Sequence, residues 1–437
     1  MQRPRQRVVI TGVGLISPLG NQADIVWEKI SQGISGVDVI QSFPEPSCEA
    51  LRFGGEARDF TGHISDFGEL EKTLKRSVKK GLRLMCREIE MGVAASQLAI
   101  QQSSISAETN PAERVGTLFG SDYILSPPAD LSAGFARCMD ENGDFQMEQW
   151  GEHGINEVEP LWLLKYLPNM PASHVAIYND LRGPSNSLTM REASSNCAIA
   201  EAVTTIRRGV ADAMVAGATG TRIHPLKSVH LALEGNLAVC DHPGQASRPF
   251  DKNRLGMVLG EGAGAVIVES LDSAKNRSAH IWGEVVGYSS STVADREGKP
   301  NYAQAFKNVL SGALENAGMS PQEIGHIHAH GLATEDCDRG EAAAIHSLFA
   351  DFATPVVAAK SYMGNLGAGS GMVEIIASLK AMENDQLFPI LNYETPDPEC
   401  PIVAANPKQH ACGDSFINLN VTPMGQASAI IVKRCVG

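Results

Sequence analysis

Residues 248–264 read RPFDKNRLGMVLGEGAG. One glycine cluster is weak evidence for any fold, but three more glycine-bearing blocks stand in order around this one. They are LRGPS at 181–185, AHGLATEDCDRGE at 329–341 and KSYMGNLGAGSG at 360–371. Between them, short apolar runs alternate with segments of helical periodicity, which predicts an α/β fold with buried, largely parallel strands. Arg7 to Thr11, Val115 to Gly120 and Ala211 to Ala216 read as strands, the last leaving through Gly217-Ala218-Thr219-Gly220. Glu90 to Gln102 reads as a helix, and Cys197 to Gly209 as an alanine-rich buried one.

After about residue 275 the order starts again. Ile281 to Gly287 is a strand, Tyr302 to Ala317 a helix, and Gly325 to His330 a strand ending in the turn Gly331-Leu332-Ala333. The stretch ETNPAERVGTLFGS after the first helix is echoed by GMSPQEIGHIHAHG after the second. Such an echo suggests two related halves, 1–275 and 276–437. Residues 126–171, with Pro-Pro and two tryptophans, are too long for an ordinary connection and read as an insertion covering a site or an interface.

The chain of 437 residues is 43% hydrophobic and 20% charged, as a globular protein is. Its 36 Lys and Arg stand against 50 Asp and Glu, a net charge of −14, which argues against duplex nucleic acid as a partner. The nine cysteines include no C-x-x-C pair and fit a reducing compartment. The opening MQRPRQRVVITGVG has too short an apolar run for a signal peptide, and no stretch approaches 18 uninterrupted apolar residues. A cytoplasmic, soluble protein without a membrane span is expected.

The four blocks together resemble the β-ketoacyl-ACP synthases. The first is similar to that family's R-P-F-D-x-x-R-x-G-F-x-x-G-E-G-A-G signature, and matches run from Val8 to Arg434. The resemblance implies a thiolase-like, duplicated α-β-α-β-α five-layer fold. It also implies chemistry that needs a thiolate at a helix N-terminus, an oxyanion hole, and two histidines that polarise a malonyl thioester.

Cys197, in SSNCA, looks like the nucleophile until the spacing is counted. The family pattern G-P-S-x-S-x-x-x-x-C, laid on Gly183-Pro184-Ser185, arrives at Glu192. From the other side, the sixteen residues 193–208 separate Glu192 from Gly209-Val210-Ala211-Asp212, as sixteen separate the family's cysteine from its G-x-A-D. Glu192 therefore stands at the nucleophile position, expected at a strained strand-to-helix turn with its carboxylate accepting helix N–H bonds. Cys197 falls inside the helix, as a small buried cysteine does.

His330 keeps the first histidine position, and Lys360, Asp338 and Glu341 match the family's supporting charged network. His326, His328 and His330 alternate on one strand, but the A-H-G match argues against a metal site, and none is expected. Asn365 takes the second histidine position, where its amide can still donate to a carbonyl. Leu332 replaces a threonine that holds pantetheine, while Thr334 keeps the next one. Counted back from Lys433-Arg434, the family's G-F-G-G loop reads Thr422-Pro423-Met424-Gly425, so its gating phenylalanine is Pro423, with a fixed φ.

The resemblance leaves three roles open. The first is a non-condensing partner like a polyketide chain-length factor. The second is a malonyl-ACP decarboxylase or other acyl-ACP chemistry, and the third an active 3-oxoacyl-ACP synthase using Cys197. A malonyl carboxylate about 4 Å from Glu192 would be repelled by about 4 kcal/mol at an effective dielectric near 20, unless a buried Glu192 is protonated. The implied partners are acyl carrier protein, which brings the phosphopantetheine so that no other cofactor is expected, and a dimer mate, either itself or an intact ketosynthase. Lys75, Arg76, Lys79, Lys80 and Arg83, in a stretch free of acidic residues, are the candidate docking surface for the acidic carrier.

Overall fold

A computed structural model describes residues 6–42, 48–106 and 109–436. Met1–Arg5, which carry the first basic residues of the opening segment, and Glu108 of the first echoed stretch lie outside the described residues.

Ten strands carry the architecture. In the first half they are β1 (Val8–Ile16), β2 (Val115–Ser121), β3 (Ser185–Thr189), β4 (Ala213–Thr221) and β5 (Leu259–Ser270). In the second they are β6 (Gly283–Thr292), β7 (His326–His328), β8 (Pro355–Val357), β9 (Ser415–Val421) and β10 (Gln426–Lys433). β1, β2, β4 and β5 are buried along their whole length, which is why they read as continuous apolar and glycine runs rather than as alternation. β4 does not leave through Gly217–Gly220, as the sequence suggested, but runs on to Thr221, because β5 pairs with it residue by residue to that end.

The sheet order states the duplication. β1, β5, β4, β2 and β3 are neighbours in that order, with β1–β5 and β5–β4 antiparallel and β4–β2 and β2–β3 parallel. β6, β10, β9, β7 and β8 repeat the same order and senses. Among the described residues the two sheets join where Val9 and Ile10 of β1 meet Glu284 and Gly283 of β6. The two echoed stretches lead into β2 and β7, which occupy equivalent places.

Six helices complete the layers: α1 (Arg87–Ser103), α2 (Met170–Tyr178), α3 (Ser194–Arg207), α4 (Tyr302–Ala317), α5 (Glu335–Phe349) and α6 (Ser370–Glu383). α3 and α6 each touch both sheets and so form the central layer, while α1 and α2 cover the outer face of the first sheet and α4 and α5 that of the second. Ser370 through Met382 of α6 are all buried, as a helix between two sheets must be. This is the thiolase-like, five-layer α/β fold.

Within 126–171 lie a helix over Ala129–Arg137 and a run of single 3₁₀ and π turns, with Phe135 packed at 5.2 Å against both Phe145 and Trp150. The segment's end is fastened to the sheet: the Pro168 carbonyl accepts from Ser121 Oγ and Ser187 Oγ. It therefore lies over the ends of β2 and β3. Among the described residues no helix is long and apolar enough to cross a membrane.

Candidate functional site

Glu192 lies in the single 3₁₀ turn Arg191–Ala193 between β3 and α3. Arg191 holds φ +49°, a left-handed conformation uncommon for a residue with a side chain, so the turn is strained as expected. The partners of the carboxylate differ from the expectation. They are not N–H groups of α3: Oε1 accepts from Arg222 Nη2 at 2.5 Å and from Asn365 Nδ2 at 3.1 Å, and Oε2 has no hydrogen-bond partner among the described residues. A guanidinium wins over helix amides because it carries a full charge into a site with little water.

Arg222 is wholly buried and turns its other terminal nitrogen to Asp122 Oδ2, also at 2.5 Å. Arg191 Nε stands 3.7 Å from Glu192 Oε2 and 3.9 Å from Asp122 Oδ2. Burial pushes the Glu192 carboxyl up, but Arg222, then Arg191 and the Asn365 amide, more than reverse this and hold it well below the usual carboxylate range. Glu192 is thus ionised, and protonation does not relieve its repulsion of a malonyl carboxylate.

On the second half, β7 ends at His328 and delivers His330 fully buried. Lys360 Nζ lies 3.2 Å from His330 Nδ1 and is ion-paired with Glu374. An ammonium has only donors, so Nδ1 accepts and Nε2 carries the hydrogen, with no partner of its own among the described residues. Burial, then the Lys360 charge, pushes His330 well below the ordinary imidazole range against the pull of Glu192, so the ring is neutral.

Asp338 and Glu341 do not join Lys360 in one network. They clamp backbone: Glu341 accepts the N–H groups of His330 (2.6 Å) and Gly331 (2.9 Å). Asp338 accepts those of Leu332, Ala333 and Phe250. These bonds hold Gly331 and Ala333 at φ +50° and +65°. Burial raises Asp338 to about 6 and Glu341 to about 8, with the N–H donors opposing it in both.

Asn365 is fully engaged. Its amide nitrogen donates to Glu192 and to Met257 Sδ (3.0 Å), and its Oδ1 accepts from Gly367 N–H and Ser370 Oγ. Both hydrogens of the NH₂ are used, so it has none spare for a thioester carbonyl, contrary to expectation. The turn that carries it presses on the first sheet, where a Cβ at Gly220 would lie 2.4 Å from the Leu366 carbonyl.

Leu332, Thr334 and Pro423 line a void of about 50 Å³ beside Glu192 and Asn365. That volume holds a few waters. Thr334 and Pro423 also line an open cleft of about 1320 Å³ outside it, with Tyr302 and Cys337 shared between the two. Gly425 lines neither and belongs to the β9–β10 turn at φ +77°. Pro423 has no N–H to offer an oxyanion.

Cys197 lies within α3, lines neither space, and is pushed by burial up to about 11, against a hydrogen bond with Ser428. His326 and His328 spend their ring nitrogens on Ser378 Oγ, the Cys412 carbonyl and the Ala359 N–H. Lys75, Arg76, Lys79, Lys80 and Arg83 are exposed along the helix Lys72–Gly81 and the turn after it, and none is in an ion pair among the described residues. Arg87, next in that series, instead pairs with the buried Glu261.

Sequence reasoning missed Arg222, Asp122 and Glu374. A signal existed for two of them: Asp122 and Arg222 directly follow the buried parallel strands β2 and β4, at the carboxyl ends where open α/β sheets bind ligands.

Two family models match the chain: "Beta-ketoacyl synthase, N-terminal domain" over residues 5–274 and "Beta-ketoacyl synthase, C-terminal domain" over 282–394. A 3-oxoacyl-[acyl-carrier-protein] synthase 2 of Synechocystis sp. is 32% identical over 400 residues, 91% of this chain and 90% of that protein. A β-ketoacyl synthase from Burkholderia phymatum matches with a TM-score of 0.84 at 25% identity, covering 99% of this chain and 100% of that one. The ishigamide ketosynthase/chain length factor matches with a TM-score of 0.83 at 23% identity over 99% and 100%, a likeness of fold.

Proposed function

Because the chain belongs to the β-ketoacyl synthase family, we propose that it is a non-condensing, chain-length-factor-like partner of an intact ketosynthase in fatty acid or polyketide biosynthesis. The observation that carries this is the ion pair of Glu192 with the buried Arg222. Acyl transfer in this family needs a thiolate that attacks a thioester and becomes a thioester in turn. A carboxylate could form only a mixed anhydride, and this one is already neutralised by a guanidinium. The occupied amide of Asn365, the missing N–H of Pro423 and the void of about 50 Å³ support the same role, since none suits a growing acyl chain.

The role implies two protein contacts. Acyl carrier protein, acidic and bearing phosphopantetheine, suits the unpaired basic row from Lys75 to Arg83. A dimer mate, itself or a ketosynthase, suits β3, whose residues are exposed or half-buried at the free edge of its sheet.

One observation favours a second activity. The unpartnered Nε2–H of His330 can still polarise a thioester carbonyl, as a malonyl-ACP decarboxylase requires. The Asn365 amide, spent on Glu192 and Met257, works against it. Incubation with malonyl-ACP separates the two roles: acetyl-ACP formation by the chain alone would favour decarboxylation. Co-expression with a ketosynthase carrying an intact Cys-His-His set tests the first. A stable heterodimer whose product length changes with the subunit present is expected, and a monomer without effect on any product would remove its support.

A further inference from the structure

The donors around residue 192 converge on one carboxylate. Arg222 Nη2 and Asn365 Nδ2 bond to Oε1, and Arg191 Nε faces Oε2. Arg222 and Asn365 are themselves buried. Two guanidiniums here face two carboxylates, Glu192 and Asp122, so the cluster is neutral only while Glu192 contributes its charge. The carboxylate arrives on a turn whose preceding residue is strained, and beside it lies the void of about 50 Å³. This is the arrangement of an anion-binding site with its ligand bound, except that the ligand is part of the chain.

We propose that Arg222, Arg191 and Asn365 form a binding site for a small carboxylate, and that the side chain of Glu192 is its tethered occupant. Beyond Cβ, glutamate is a CH₂–COO⁻ group, acetate atom for atom. Shortening residue 192 to alanine leaves two guanidiniums against the single carboxylate of Asp122, a net positive hole of acetate's size next to existing free volume. A free carboxylate then takes the place of the tethered one. The inference stands whether or not the chain acts beside a ketosynthase, so its test succeeds or fails independently of that role.

The test is the thermal midpoint of Glu192→Ala in sodium acetate, with sodium chloride at equal ionic strength and acetamide as controls. Acetate is expected to raise the midpoint of the variant saturably, by about 3 °C or more. Acetamide and chloride are expected to do nothing, as is acetate on the unmodified chain or on Glu192→Gln, whose amide fills the hole. Equal responses of Glu192→Ala to acetate and chloride would overturn the proposal. If Glu192→Ala does not fold in chloride, refolding in acetate is read instead. Recovery supports the site, whereas no recovery while Glu192→Gln folds refutes it.

Discussion

Lys360 Nζ lies 3.2 Å from His330 Nδ1 and carries Glu374 on its other side. Burial, and then this lysine's charge, keeps the histidine uncharged; the lysine also sets its tautomer, while Glu341 fixes its backbone. The half of the site built on β7 and α5 holds a buried neutral histidine whose Nε2–H is unspent among the described residues. The half built on β3 and α3 is closed by the ion pair of Glu192 with Arg222.

The unmodified chain, incubated with acyl-ACP or acyl-CoA, is expected to show no covalent adduct by intact-mass measurement. Cys197, at about 11, has too little thiolate at neutral pH. Glu192→Cys should become acylated slowly. Arg222 and Arg191 would favour its thiolate, so its alkylation by iodoacetamide should have a midpoint below the ordinary thiol range. Condensation should stay well below that of an intact synthase, because the Asn365 amide is spent and Pro423 still replaces the gating phenylalanine. An adduct on Cys197 in the unmodified chain would restore the active-synthase role.

Arg222→Met removes the fully buried guanidinium that hydrogen-bonds to both Asp122 and Glu192, leaving only Arg191, at 3.9 and 3.7 Å, to face them. Unfolding by urea should show a loss of about 3–5 kcal/mol, the usual effect of orphaning a buried charge. Adding Glu192→Gln should recover part of it. A single variant as stable as the parent would mean that the cluster is hydrated.

Stability should fall between about pH 5 and pH 8 through Glu341. Its carboxyl is raised in the folded chain to about 8, so the folded state holds a proton that the unfolded state releases near its ordinary value. The contribution is complete below that ordinary value and is lost as pH rises through about 8. Asp338, at about 6, acts in the same direction over a lower window. Melting midpoints of the parent and Glu341→Gln, measured from pH 5 to 8.5, should converge as pH rises. Parallel curves would deny Glu341 this role.

Reversing charge at Lys75, Arg76 and Lys79 should weaken binding of acyl carrier protein by about tenfold at low salt, with the difference shrinking as salt screens it. All three are exposed, so the melting temperature should stay within about a degree of the parent. Unchanged affinity in titration calorimetry would place docking elsewhere.

The fold was legible because its demands are local. Buried strands need continuous apolar runs, and close approaches such as that of Leu366 to Gly220 need glycine, and both leave fixed marks in the sequence. Glu192 was legible by spacing alone, since both flanks count to it. Its partner was not. Arg222 lies thirty positions further on, and only the parallel pairing of β2 and β4 brings it beside Asp122 and Glu192. For the same reason Asn365 read as a free donor: nothing in KSYMGNLGAGSG tells that its amide is spent on Glu192 and Met257.

The central layer has a mechanical consequence. Among the described residues the two sheets share a short join between β1 and β6, and α3 and α6, wedged between them, touch both. Glu192 leads into one of these helices and Asn365 into the other. Shifting α6, buried through thirteen successive positions, would expose it to water. Amide protons of Ala198–Val203 and Val373–Leu379 should therefore exchange only through global opening, among the slowest in the chain. A protein that docked on this chain would meet a site already set, and whatever it gained would come from the shape of the surface around that site.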